Sequence, residues 1–268
     1  ADSLAQIVES CFQNPSSISG LDLLFGVYAF AIQIYCDFSG YTDIARGVSR
    51  FLGIELIQNF SYPYFSRNIT EFWRRWHISL SSWLRDYLYI PLGGNKKGKG
   101  RTYINLMATM LLGGLWHGAN WTFVIWGGLH GFFLSVHKIL LKGKKIDILS
   151  WGNSRLGYLS DLIRILMTFH LVCLTWIFFR ASSSLDSYYY ILGIISNGGD
   201  LTILKPVLLG LLSMILIDIG QRFSEDQLWL LQLSSFLRYT VALTVLIVSI
   251  LIFGYHYGGT TPFIYFQF

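Results

Sequence analysis

Apolar residues in this chain run in long blocks rather than alternating with polar ones. The first block covers residues 21–38, and a second covers 102–141. Three more follow at Tyr158–Phe179, Leu204–Gly220 and Tyr239–Tyr255. A helix needs about 20 apolar residues to cross a hydrocarbon core about 30 Å thick. The block at 102–141 is too long for one crossing and reads as a helical hairpin, with its turn near Gly113–Trp121. The pattern predicts an all-α polytopic membrane protein with about six transmembrane helices, read as a single membrane-embedded region over 1–268.

Residues 59–101 follow a different rule. Ile69, Phe72, Trp73, Trp76, Leu80, Trp83, Leu84 and Tyr87 recur at steps of three and four, the spacing of one helix face. This predicts an amphipathic helix capped by Thr70 and ended by Pro91. A Trp-rich stretch that also carries Arg74, Arg75 and Arg85 suits a membrane interface or a re-entrant position. The three arginines can hold lipid phosphates or an anionic cofactor; the plainer alternative is cytoplasmic anchoring. Asn59-Phe-Ser61 and Asn68-Ile-Thr70 match the glycosylation sequon, but they fall on the side predicted to be cytoplasmic and read as chance matches.

Composition agrees with a membrane protein. Of 268 residues, 53% are hydrophobic and only 13% charged, which excludes most soluble enzymes and a disordered chain. The net charge of +5 points to cytoplasmic loops rather than to nucleic acid. Lys96, Lys97, Lys99 and Arg101 precede the hairpin, and Lys138, Lys142, Lys144 and Lys145 follow it, so both of its feet are expected in the cytoplasm. Cys11, Cys36 and Cys173 are far apart and match no metal or redox spacing.

Depth singles out His117, within GGLWHGANW at 113–121. From Thr102 to Trp116 is 15 residues, about 22 Å of helix. An ionisable group that far into a bilayer usually faces the protein interior or a water-filled cavity. His117 suits a general base acting on a hydroxyl; the alternative is a structural histidine bonded to a carbonyl. Trp116 and Asn120 add an aromatic wall and an amide. His77 borders the apolar stripe of the preceding segment, while His130, His137, His170 and His256 read as structural.

Four segments together resemble the membrane-bound O-acyltransferase (MBOAT) family: CDFSGYTD at 36–43, the run from Asn59 to Gly94, MLLGGLWHGANWTFVIWGGLHG at 110–131, and the closing PFIYFQF. The likeness is to its alginate O-acetyltransferase branch. It implies a catalytic role for His117, as general base or through a short-lived acyl-enzyme, with His77 as the family's second polar position. It also implies an acyl thioester donor such as acetyl-CoA, with no bound cofactor. Substrate contacts would come from Asn120, Trp116 and Trp76, and the tetrahedral oxyanion would be met by His77, Asn120 or backbone N–H groups. The acceptor would be a hydroxyl of an exported polysaccharide, with extracytoplasmic acetyltransferase partner proteins completing transfer. The setting would be the bacterial inner membrane, among membrane lipids. Family members have further spans before this region, so the chain is expected to be the C-terminal part of a longer protein. Relatives that transfer D-alanyl groups share FWRRWH, so another acyl group stays open. A different class also stays open, a transporter or flippase using His117 with Asp37 and Asp43 as a proton relay.

Overall fold

The computed structural model describes residues 2–141, 155–224, 234–241, 243–244 and 247. All regular structure among them is helical. Helix α1 (Asp2–Gln13) leads into α2 (Gly20–Phe51), the longest element at 32 residues. Ser19 caps α2 by accepting the Asp22 N–H at 3.1 Å. The Asp22 carboxylate accepts from the N–H and hydroxyl of Thr202 at 2.8 and 2.7 Å, which pins this end of α2 to a distant loop. The other end closes at Gly53, whose φ of +72° is a left-handed cap that favours glycine. There Gly53 N–H bonds Arg50 O and Ile54 N–H bonds Ser49 O, both at 3.0 Å.

The first apolar block, 21–38, is therefore only part of its helix. The helix runs on through Asp43 and Arg46, which pair at 3.5 Å. Polar residues thus continue α2 beyond the end of the apolar block.

The amphipathic segment is also not one helix. It folds as α3 (Ile69–Arg75), α4 (Ile78–Leu84) and a π-helical turn, Arg85–Tyr89. Asn68, not Thr70, caps α3, accepting the Glu71 N–H at 2.8 Å. Periodicity survives the break because Trp76 and His77 interrupt the hydrogen bonding but not the spacing of apolar side chains. Glu71 is 1% exposed. It receives Arg75 at 2.7 Å and Arg67 at 3.3 Å, and Arg67 also reaches Asp161 at 3.4 Å. This buried network ties α3 to α7 (Arg155–Arg180).

The hairpin is formed by α5 (Gly98–His117) and α6 (Trp121–Leu141), and its turn is confined to residues 118–120. The two helices approach through glycines. A Cβ on Gly114 would stand 2.2 Å from Phe123 O, and one on Gly127 would stand 2.3 Å from Met110 O. Small residues at such a crossing let helix backbones meet in an apolar setting. Trp176 of α7 lies at the centre of the core. It meets Phe30 of α2 at 6.2 Å, Trp76 at 5.1 Å and Trp126 of α6 at 6.2 Å.

Two further helices complete the described fold, α8 (Ser184–Ser196) and α9 (Leu204–Ser224). Neither α1 nor α8 was expected, because both are too short to register as spans. They pack together through Phe12 and Tyr190, whose rings stack at 4.3 Å. Four described helices are long and apolar enough to cross a membrane: Gly20–Phe51, Trp121–Leu140, Leu156–Arg180 and Leu204–Phe223. Helix α5 is 20 residues long but carries Lys99, Arg101 and Asn105 in its first half and is not among the four. The expected span Tyr239–Tyr255 lies largely outside the described residues.

Candidate active site

His117 is the last residue of α5. Its imidazole is enclosed by rings from three helices: Trp116 at 4.9 Å, Trp126 at 5.2 Å, Phe179 at 5.0 Å and Phe123 at 6.1 Å. The half-buried side chain sits at the carbonyl end of α5. That end carries the negative pole of the helix dipole.

His77 lies between α3 and α4 with φ +42° and ψ +58°. A left-handed conformation is uncommon outside glycine, though histidine adopts it more readily than most. Residues held this way cluster at functional sites. The ring packs edge-on to Phe38 at 4.8 Å and meets Trp116 at 6.4 Å. Trp116, 59% exposed, thus packs against both histidines.

A distant strand of chain holds the break at His77 open. Asn59 O accepts the Ile78 N–H at 3.0 Å. Asn59 Oδ1 accepts the Ser79 N–H at 3.1 Å and the Ser79 hydroxyl at 2.7 Å. These are the first N–H groups of α4, which a helix leaves without internal partners. Asn59 therefore caps a helix that its own residue 77 does not cap.

The remaining expected site residues separate. Asn120 is a cap: its Nδ2 donates to Ser182 O at 3.1 Å and its Oδ1 accepts the Thr122 N–H at 3.2 Å. Trp76 is 2% exposed and belongs to the core. Arg75 is committed to Glu71 and stacks on Tyr62, with its guanidinium 4.2 Å from the ring centroid. It is not grouped with Arg74 and Arg85.

Those two arginines do converge. Arg74, Arg85, Lys99 and Lys138 line a cavity of about 1460 Å³ between the α3–α4 segment and the hairpin. Arg85 also pairs with Asp86 at 2.7 Å, and its guanidinium holds the Asp86 carboxyl below its ordinary range. The cavity lies beside the histidines and is not centred on them. Its wall includes Ile78, next to His77, and Met110, about 10 Å along α5 from His117. The mouth is braced by Asn95, whose Oδ1 accepts from both Tyr89 and Lys138.

The sequence reading did not single out Lys99 or Lys138 as site residues. It also passed over Glu71, although Arg67, Glu71 and Arg75 stand at successive i,i+4 positions, a legible signal. Of the other described histidines, His130 is fully buried and satisfied at both nitrogens. Trp73 Nε1–H donates to its Nδ1 at 3.2 Å, and its Nε2 meets Thr175 Oγ1 at 3.0 Å. In α9, Asp218 accepts the Tyr35 hydroxyl at 2.7 Å; nothing in a Leu-rich run identified that partner in advance.

Comparison with known proteins gives one consistent picture. The model of the MBOAT, membrane-bound O-acyltransferase family matches residues 17–183. The chain is 48% identical over 183 residues to "Probable alginate O-acetylase AlgI" of Pseudomonas syringae pv. tomato, covering 68% of this chain and 33% of that protein. It is 40% identical over 200 residues to "Peptidoglycan O-acetyltransferase" of Helicobacter pylori, 74% of this chain and 36% of that protein. It is 34% identical over 157 residues to "Teichoic acid D-alanyltransferase" of Bacillus subtilis, 56% of this chain and 39% of that protein. The chain spans about a third of the length of the curated relatives it matches.

Proposed function

This chain belongs to the membrane-bound O-acyltransferase family, and from that premise we propose that it carries the histidine centre of a polysaccharide O-acetyltransferase. The enzyme takes an acetyl group from a cytoplasmic thioester, acetyl-CoA, and delivers it toward a hydroxyl of an exported alginate-like polymer. Its setting is the bacterial inner membrane, and extracytoplasmic partner proteins complete the transfer. The higher identity to the alginate O-acetylase than to the other two relatives supports that acceptor and acyl group.

The observation that carries the reading is the sharing of Trp116 by His117 and His77 at one end of a hairpin whose other end is basic. Along α5, His117 stands about 28 Å from the helix start. An anionic donor fits the basic cavity, where charged hydrogen bonds hold phosphate strongly. Its thioester then extends along α5 toward the histidines.

His117 acts as general base. It removes the proton of the acceptor hydroxyl while that oxygen attacks the thioester carbonyl, and the imidazolium returns the proton to the leaving thiolate. The carbonyl pole of α5 favours the transient imidazolium, and the surrounding rings exclude water that would hydrolyse the thioester. The test is transfer of labelled acetyl from acetyl-CoA to polymer by the full-length protein in membranes, with and without His117. Normal polymer export without acetylation in the His117→Ala variant supports the enzyme; lost export with acetylation capacity intact supports a transporter instead.

A further inference from the structure

Ser79 and Asn59 form a hydrogen-bonded chain behind His77, and the donors in it can be assigned one by one. A backbone N–H can only donate, so the side-chain atom of Asn59 facing Ser79 N at 3.1 Å is its carbonyl oxygen. That oxygen lies 2.7 Å from Ser79 Oγ, and an amide oxygen cannot donate. The single hydroxyl proton of Ser79 therefore points at Asn59. Ser79 Oγ also lies 3.3 Å from His77 Nδ1. With its own proton engaged, the serine oxygen can only accept there. The proton in that contact sits on His77 Nδ1, and in the neutral ring Nε2 is then the acceptor nitrogen.

We propose that Ser79 and Asn59 are positioning residues that hold His77 in its Nδ1–H tautomer and present Nε2 to the reaction as a proton acceptor. This rests on the reading of His77 and His117 as the catalytic pair, and it narrows the role of His77. A neutral ring in this tautomer accepts from the other imidazole or from a neighbouring hydroxyl of the acceptor sugar, while the attacking hydroxyl gives its proton to His117. It does not donate to an oxyanion, the role open to it from sequence. The same two residues also explain why the left-handed conformation persists. Asn59 supplies the cap that α4 lacks, and the Ser79 hydroxyl connects that cap to the imidazole, so backbone and tautomer are set by one contact network.

The test uses the full-length enzyme in membranes, comparing Ser79→Ala, Ser79→Thr and His77→Ala, with folded yield and thermal midpoint measured alongside. Removing the acceptor from Nδ1 is expected to lower kcat by about tenfold or more while leaving KM nearly unchanged, as when the group holding a catalytic histidine's tautomer is lost. Ser79→Thr keeps the hydroxyl and is expected to restore most of the activity. In a His77→Ala background, Ser79→Ala is expected to add no further loss. Wild-type kcat in Ser79→Ala, when His77→Ala is inactive, would overturn the tautomer proposal alone. An equal loss from Ser79→Ala with and without His77 would also overturn it, showing a purely structural role. Full activity in His77→Ala would instead overturn the catalytic reading beneath it.

Discussion

Gly114 and Phe123 meet so closely that a single added carbon does not fit: a Cβ on Gly114 would lie 2.2 Å from the Phe123 carbonyl oxygen. Gly114 is one helical turn before His117, and Phe123 packs on the His117 ring at 6.1 Å. The glycine crossing thus sets where the end of α5 stands relative to the rings around it. Gly114→Ala must push α5 and α6 apart at backbone level. Overpacking of this kind typically costs about 1–3 kcal/mol. The expected result is a lower thermal midpoint together with lost activity, whereas Gly100→Ala, with open space around it, leaves both near the parent values.

His77 gives the opposite separation of fold from function. Its φ of +42° suits glycine better than any side chain, and relieving a left-handed residue is worth about 1–2 kcal/mol. His77→Gly should therefore fold as well as the parent, with a thermal midpoint no lower than a few degrees below it. Activity should fall by about a hundredfold or more, the scale of a lost acid–base group. A thermal shift assay beside an acetylation assay reads both.

The helix pattern was legible because burial on one side of a helix leaves a period of three to four, and that period located residues 69–87. It did not reveal the break at Trp76 and His77. A left-handed residue keeps the apolar spacing intact, and the contact that stabilises it comes from Asn59, distant in sequence. His117 was legible from depth and glycine context. Its cage of Trp126 and Phe179 was not, since those rings arrive from α6 and α7. Among the arginines, sequence offered three equal candidates at Arg74, Arg75 and Arg85. The i,i+4 pairing with Glu71 inside α3 separates Arg75 from the other two, a spacing the sequence already carried. Lys138 joins them because the hairpin brings its far end back to Lys99.

Glu71 is the common partner of Arg67 and Arg75 in a site closed to water. Glu71→Gln keeps the shape but leaves two buried guanidinium groups short of a counter-charge. Removing one member of such a network costs about 3–5 kcal/mol. Folded yield should drop sharply, and the surviving protein should melt earlier. Arg74→Ala, outside the network, should not change either quantity.

The basic cavity makes a kinetic claim. Arg74→Ala and Lys138→Ala should each raise KM for acetyl-CoA by about 10- to 100-fold, the worth of one charge-assisted hydrogen bond, with kcat nearly unchanged. Added salt should raise KM in the parent and have less effect in the double variant. Initial rates against donor concentration at two ionic strengths check both.

The central claim is that His117, in contact with Trp116 and near His77, performs the acyl transfer. Its most direct test is acetyl transfer to polymer by the full-length enzyme in membranes carrying His117→Ala. Protein abundance and thermal midpoint are compared with the parent. Acetylation at background with abundance unchanged is the expected result; parental levels of acetylation from that variant would contradict the assignment.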